Sequence, residues 1–194
     1  MQFRWDIINY YIQKYNFKTF LEIGHWKGEC FNNVVCETKE SVDPELSCNA
    51  TYQITSDEFF EKYDKKYDII FIDGLHECVQ VDRDIKNSLN HLNNGGVIVM
   101  HDCHPNSEKC QLKDFVSHQN GEPWTGDTWK AYVKNRAELP YEMYVWDYDW
   151  GCGVIDINKS KISDTSKLPS DMNKMNYKDF IEHLEWMNFK KEMQ

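Results

Sequence analysis

No stretch of the chain approaches the roughly 20 consecutive apolar residues needed to cross a bilayer, and its short apolar runs are broken by charge within a few positions. A helical membrane span is thereby excluded. The start also lacks a basic region followed by an apolar run, and the seven cysteines, at positions 30, 36, 48, 78, 103, 110 and 152, contain no Cys-x-x-Cys pair. An odd, scattered set of this kind predicts reduced thiols in a cytoplasmic protein rather than a disulfide framework. Basic residues are few: 22 Lys and Arg stand against 32 Asp and Glu, a formal net charge of −10. That balance works against nucleic acid or an anionic membrane as partner, because phosphate binding depends on clustered cations. Lys130, Lys134 and Arg136 make one small basic patch, which reads as a solvated helix face. No long polar or low-complexity stretch divides the chain, so its 194 residues predict one domain with one sizeable core.

The residues that are present, 41% hydrophobic and 14% aromatic, form a globular composition heavy in Trp, Tyr and Phe. Ile7, Ile8, Tyr11, Ile12 and Tyr15 recur at helical spacing behind Asp6, whose charge favours a helix start there. Thr19 to Ile23 is a short apolar run ending in Gly24, with Gly28 and a helix-forming segment beyond: strand, turn, helix. Glu40 to Pro44 reads as a second strand end. Tyr67 to Gly74 is a stronger third case, whose continuous Ile and Phe predict a parallel strand buried on both faces. Val81, Ile85, Leu89 and Leu92 mark a helix from Cys78 to Leu92, stopped by Asn94-Gly95-Gly96 before a strand at Val97 to Met100. After Asp102 the periodicity fades until a helix at Thr128 to Ala137. Glu142 to Trp146 and Gly151 to Ile157 then suggest a hairpin, Ser160 to Ser170 a surface connection, and Tyr177 to Lys190 a terminal helix with Phe180, Ile181, Leu184 and Met187 on one face.

Strand and helix in alternation predict an α/β fold with a mostly parallel central sheet, flanking helices and a C-terminal antiparallel hairpin. In such sheets ligands bind outside the carboxyl ends of the strands. Glu22, Asp43, Asp73 and Asp102 each fall at or just past such an end. In Glu22-Ile23-Gly24-His25-Trp26-Lys27-Gly28 two glycines allow a sharp turn and close backbone approach to a ligand. The dinucleotide fingerprint Gly-x-Gly-x-x-Gly is missing, since His25 and Trp26 follow Gly24 without a second glycine, and a nicotinamide cofactor loses ground accordingly.

The acid and glycines of this segment resemble the first motif of the class I S-adenosylmethionine-dependent methyltransferases, a Rossmann-like family. Two further motifs, Ile72-Asp73-Gly74-Leu75-His76 and Gly95-Gly96-Val97-Ile98-Val99-Met100-His101-Asp102, resemble a narrower branch, the methyltransferase-24 or sugar O-methyltransferase-like group. The likeness runs from about Phe20 to Asp102, with a looser one at Trp124 to Lys130 and the final hairpin. It implies S-adenosylmethionine as cofactor, held by Glu22, Gly24, Gly28, Asp43, Ser56, Asp57, Asp73 and Gly74. In the family the acid of the second strand receives the ribose hydroxyls, which here is Asp43, and Ser56-Asp57 falls at the adenine. The resemblance also divides the chain: an N-terminal helix over 1–18, a cofactor-binding core over 19–102, an acceptor-side loop, helix and hairpin over 103–158, and an extension over 159–194.

Methyl transfer asks for alignment of a nucleophile and removal of its proton, so Asp73, His76 and His101 are the candidate catalytic residues. Relatives that methylate sugar or catechol-like hydroxyls bind a divalent ion with acids at the fourth and fifth strand ends. By that likeness Asp73, His101 and Asp102 are a candidate set for Mg²⁺ or Mn²⁺, although relatives often carry two acids where this chain has His101-Asp102. His76 and His101 have structural alternatives as backbone ties, and Asp102 as a cap. Cys103, His104 and Cys110 match no standard zinc spacing. Trp124, Trp129, Trp146 and Trp150 read first as packing between helix and hairpin, and second as an acceptor pocket. The segment from Cys103 to Trp129, with Pro105, Gly121, Pro123 and Gly126, reads first as a long acceptor-side loop that closes over ligand and second as a fixed surface loop. The expected function is O-methylation of a small hydroxylated acceptor such as a sugar or secondary metabolite. A non-catalytic ligand-binding or scaffold protein on this fold, and a hydroxylase-like relative, stay open beside it.

Overall fold

The computed structural model of the chain describes residues 3–113 and 123–191. Seven strands form one sheet: β1 (Thr19–Ile23), β2 (Thr38–Val42), β3 (Tyr67–Ile72), β4 (Leu92–Met100), β5 (Tyr141–Trp146), β6 (Cys152–Ser160) and β7 (Phe189–Lys190). Their order is β2-β1-β3-β4-β6-β5-β7. The first four neighbours are parallel, β6 runs antiparallel between β4 and β5, and β7 adds a parallel edge to β5. The helices are α1 (Arg4–Tyr15), α2 (Glu29–Asn33), α3 (Ser56–Lys62), α4 (Cys78–Asn90), α5 (Thr128–Glu138) and α6 (Tyr177–Glu182). No helix among the described residues is long and apolar enough to cross a membrane, and all seven cysteines are free.

The continuous apolar strands serve two cores, because successive side chains point to opposite faces. Phe20, Ile69, Phe71, Val97 and Val99 meet Ile7, Ile8, Tyr11 and Ile12 of α1 on one face. Leu21, Ile23, Ile70, Ile72, Ile98 and Met100 meet Val81 and Ile85 of α4 and Trp129, Tyr132 and Val133 of α5 on the other. Under α1 the Tyr11 and Tyr144 hydroxyls lie 2.6 Å apart, and the Trp146 indole donates to Tyr11 at 3.1 Å.

Beyond β1 the chain crosses one way to β2, and beyond β3 the other way to β4, so the sheet's switch point lies between the ends of β1 and β3. An open α/β sheet places its ligand crevice there. Gly24 has φ +89°, and a Cβ on it would stand 2.1 Å from the Asp73 carbonyl oxygen. Only glycine lets the two strand ends approach so closely.

Several expectations need correction. The helix read as reaching Leu92 ends at Asn90, and Asn94-Gly95-Gly96 lies inside β4, where Gly95 takes φ +80° and the pairing with β3 shifts register. The second hairpin strand extends past Ile157 to Ser160, into the expected connection. The single terminal helix is broken: α6 ends at Glu182, a 3-10 turn spans Leu184–Met187, Asn188 takes φ 49°, and Phe189–Lys190 pairs with β5. Two anchors explain the break. Tyr132 donates to the Met187 carbonyl at 2.9 Å and Arg136 to the Trp186 carbonyl at 3.0 Å, drawing both away from helical partners. The same contact removes Arg136 from the expected solvated patch, since it is buried; Lys134 binds Asp82 at 2.8 Å and Lys130 faces Asp127 at 3.3 Å. α3 went unread, although Thr55-x-x-Glu58 is a capping box: Glu58 N donates to the Thr55 hydroxyl at 3.2 Å and Thr55 N to Glu58 at 3.0 Å.

Replacing Tyr11 with Phe strands the Trp146 indole and a Tyr144 hydroxyl in the core, an expected loss of about 1–3 kcal/mol. Urea unfolding reads it directly; an unmoved midpoint would show that this triad contributes nothing to stability.

Candidate functional site

A cavity of about 870 Å³ opens at the switch point. One end is built by the turn after β1. Asp43, just past β2, accepts the backbone N–H of both His25 and Trp26 on Oδ2 at 2.9 Å and that of Glu45 on Oδ1 at 2.9 Å. Three of about four carboxylate acceptor positions are thus used by backbone donors, the Cys48 thiol is a further partner, and Asp43 lines the cavity. Gly24, Gly74, Ser56 and Asp57 line the same end. Gln80 on α4 donates to Ser56, at 3.2 Å, and to Asp57, at 3.3 Å, so the start of α3 is tied to α4.

Glu22 is buried, against His25 Nδ1 at 3.0 Å. Burial, and then the charge of Asp73, push its carboxyl up to about 8. Burial also lowers His25. The pair is therefore a hydrogen bond between neutral groups at neutral pH, not a salt bridge. Gly28 presses on the same histidine: a Cβ there would meet the His25 ring at 2.9 Å.

At the other end the strand ends of β3 and β4 bring four chemical groups together. His101 Nδ1 lies 3.2 Å from Asp73 Oδ1 and 3.3 Å from Asp102 Oδ1, with Nε2 3.7 Å from Asp149. That last distance is an ion pair without a hydrogen bond, and Nε2 is buried with no hydrogen-bond partner. His76 places Nδ1 3.2 Å from Asp102 Oδ2 and Nε2 3.4 Å from Asp73 Oδ1. Burial opposes the charge of every group here. Asp102 and Asp73 outweigh it for the histidines, raising His76 and holding His101 well above the usual imidazole range. His101 and His76 in turn hold Asp73 below the usual carboxylate range.

Donor atoms of Asp73, His76 and Asp102 all lie within 4.8 Å of one another. The geometry thus groups His76 with the two acids, while His101, the histidine the sequence pattern pointed to, stands 3.2 Å from Asp73 and 3.3 Å from Asp102.

Sequence reasoning missed Arg4 and Asp149. Arg4, in the first turn of α1, reaches 3.1 Å from Asp149 Oδ2, 3.7 Å from Asp73 Oδ2 and 3.6 Å from Glu29. Asp149 also accepts the Arg4 backbone N–H at 2.9 Å. It sits in a turn where Asp149, Trp150 and Gly151 all take positive φ, at 45°, 63° and 81°. Left-handed non-glycine residues cost on the order of 1 kcal/mol each, and here the strained turn carries both Asp149 and Trp150 to the cavity wall. No periodicity marks either residue in advance.

The tryptophans divide. Trp129 and Trp146 are core. Trp124 stacks on His76 with ring centroids 4.7 Å apart, its carbonyl is 3.2 Å from His76 Nδ1, and Trp150 lines the cavity. Gly126, at φ +54°, lets this segment lie on the loop after β3, since a Cβ would fall 1.9 Å from the His76 carbonyl. The expected closing loop includes residues 114–122, Gly121 among them, which lie outside the described residues. Cys103 is buried against the Met100 and His101 carbonyls, and His104 pairs with Asp147 at 2.7 Å, so these two face different partners.

Residues 49–103 match the sequence profile of a family described as a methyltransferase domain. The fold matches that of solved methyltransferases. A Podospora anserina methyltransferase solved with S-adenosylhomocysteine bound is 16% identical, with TM-score 0.57, over 83% of this chain and 80% of that one. An O-methyltransferase from Bacillus cereus, solved in complex with the same molecule, is 14% identical with TM-score 0.54, over 79% and 80%. TomG from Streptomyces achromogenes, an O-methyltransferase involved in tomaymycin synthesis, is 11% identical with TM-score 0.55, over 79% of each. No curated protein sequence matches the chain.

Glu22 supplies a test of the buried turn. Between about pH 4 and pH 8 the folded chain keeps a proton that the unfolded chain has released, so this residue makes stability fall as pH rises. Glu22→Gln removes that slope. Its melting temperature is expected to gain on the parent between about pH 5 and pH 8; parallel curves would show that Glu22 is ionised in the fold.

Proposed function

We propose that the chain transfers the methyl group of S-adenosylmethionine to a hydroxyl of a small acceptor, a sugar or a secondary metabolite. The observation that carries this reading is one continuous cavity joining the Gly24, Asp43 and Ser56 end to the His76–Asp102 end. Its walls suit the cofactor. Asp43 lines that end as an acceptor suited to a ribose hydroxyl, the glycine turn permits close backbone approach, and the acids around Asp73 suit a cationic sulfonium. When bound, S-adenosylmethionine supplies an electrophilic methyl on that sulfonium.

The chain's residues then position the acceptor and take its proton. Leu75, Trp124 and Trp150 offer apolar wall beside His76, fitting a small acceptor whose ring lies flat and whose hydroxyl reaches the polar end. His76 is fixed through Nδ1 by Asp102 and the Trp124 carbonyl, which directs Nε2 toward Asp73 and the cavity. A base held in one orientation is what proton removal requires. Arg4 and His101 keep Asp73 and Asp149 ionised and in place.

A divalent ion fits the same corner. Two carboxylates and an imidazole with converging donor atoms are a donor set that Mg²⁺ or Mn²⁺ accepts, and Asp73, His76 and Asp102 would hold it. Such an ion would polarise a bound hydroxyl and lower its pKa. His76 would have to be unprotonated to ligate, so occupancy is expected to rise with pH.

Two measurements test the reading. S-adenosylhomocysteine should raise the melting temperature where NAD does not, and Asp43→Ala should weaken its binding about tenfold or more by freeing the turn at His25 and Trp26; an unchanged dissociation constant would take Asp43 out of the site. With an acceptor in hand, turnover should fall on exhaustive chelation and return with Mg²⁺ or Mn²⁺. Full turnover after chelation would remove the ion and leave His76 as a metal-free base, in which case His76→Asn should lower the rate by about 10²–10⁴-fold.

A further inference from the structure

A second cavity, of about 500 Å³, lies on the α1 side of the sheet over β5 and β7, away from the strand ends that carry the cluster. Its lining inverts the charge of the rest of the molecule. Lys14 from the last turn of α1, Lys159 from β6, Lys190 from β7 and the adjoining Lys191 converge on it, and among the described residues no carboxylate lines it. In a chain of net charge −10 this is a local reversal of sign. Among the described residues only Lys159 has an acid near, Asp156 at 3.7 Å, and that oxygen already accepts from the Tyr15 hydroxyl at 2.7 Å. Among the described residues Lys14, Lys190 and Lys191 form no ion pair with a carboxylate. Lys14 donates to the Tyr10 hydroxyl at 2.9 Å and stands 5.0 Å from that ring, while Lys159 stands 5.5 Å from the Tyr144 ring. These two ammonium groups are therefore placed against aromatic rings.

The floor is aromatic and fixed, its two rings meeting edge to face at 87°. Tyr144 and Trp146 are nearly buried and locked by Tyr11, and the half-buried Tyr10 and Phe189 form walls. The volume is in the range of small-molecule sites. Compact cationic heads suit phosphate oxygens, and aromatic walls suit a flat ring.

We infer that this cavity is a second ligand site, for a small phosphate ester bearing a flat aromatic ring, of the nucleoside diphosphate class. Charge sorts such a ligand between the two cavities. The larger one is ringed by Asp43, Asp57, Asp73, Asp102 and Asp149 and repels phosphate, whereas the smaller one attracts it. A long polyanion is disfavoured, because it would leave the four lysines and run over an acidic surface.

The test is calorimetric titration of the full chain with ADP, repeated with S-adenosylhomocysteine present, with inorganic phosphate in place of ADP, and with a Lys14→Glu, Lys190→Glu double variant. Expected is one ADP per chain, affinity unchanged by S-adenosylhomocysteine, about tenfold weaker binding of phosphate, and at least about tenfold weaker ADP binding by the double variant. Lys14→Gln with Lys190→Gln should lose affinity to a smaller extent, and unaltered circular dichroism shows that either variant folds. No ADP binding, competition with S-adenosylhomocysteine, or binding that survives both lysine variants would overturn the site. Phosphate binding as tightly as ADP would overturn the aromatic part of the assignment. Because the lysine arms do not use the larger cavity, they stay readable if S-adenosylhomocysteine fails to bind at all.

Discussion

The compensation of three buried or half-buried acids by His101 and Arg4 is the constraint on which the site depends. Asp73, Asp102 and Asp149 come from three different connections, and each would pay heavily for its charge if left alone in a poorly solvated corner. His101 stands within 3.7 Å of all three, and Arg4 bonds Asp149 while facing Asp73. The cluster therefore fixes more than itself. It pins the first turn of α1 to the β5–β6 turn and holds that turn in a left-handed conformation that neither Asp149 nor Trp150 favours alone. It also orders the ends of β3 and β4, at the point where Gly24 brings β1 against Asp73.

The sequence carried the central architecture because parallel strands buried on both faces leave continuous apolar runs. Ile69 to Ile72 and Val97 to Met100 read as strands for that reason, and in the fold their side chains alternate strictly between the two cores. The turn residues were legible as well, since Gly24 and Gly28 occupy positive φ that other residues resist. Where reading failed, a tertiary contact had overruled local preference. Tyr177 to Lys190 has helical spacing, but Tyr132 and Arg136 take the carbonyls its last turns would use, and the chain finishes as an edge strand. Asn94-Gly95-Gly96 looks like a helix stop, and instead bends a strand around Asn158, whose side chain donates to the Gly95 carbonyl at 2.7 Å.

The site was legible in part. Asp73, His76, His101 and Asp102 share two compact motifs at consecutive strand ends, so their meeting follows once the strands are recognised. The division of labour among them does not, because it depends on ring orientation. His76 turns toward the cavity beneath Trp124 and can share a ligand with Asp73 and Asp102. His101 is buried against the same acids and serves their charge. Arg4 and Asp149 carry no motif: they are distant in sequence, and only the packing of α1 against the sheet brings them to the same carboxylates.

His101 also bears on the proposed ion, which would not be the sole means of holding this corner together. Where two acids stood at the end of β4, their repulsion would call for an external cation before the corner could close. Here one of the two positions is itself a cation, raised well above the usual imidazole range by Asp102 and Asp73 against the penalty of burial. The acids are thus already compensated by His101, and the position of His76 is left to a ligand, a metal or a proton. An ion arriving there must compete with the proton on His76 and with the charge of His101 a few ångströms away. Its affinity should accordingly be lower than that of a site built from carboxylates alone, and the corner can order itself before any ligand arrives.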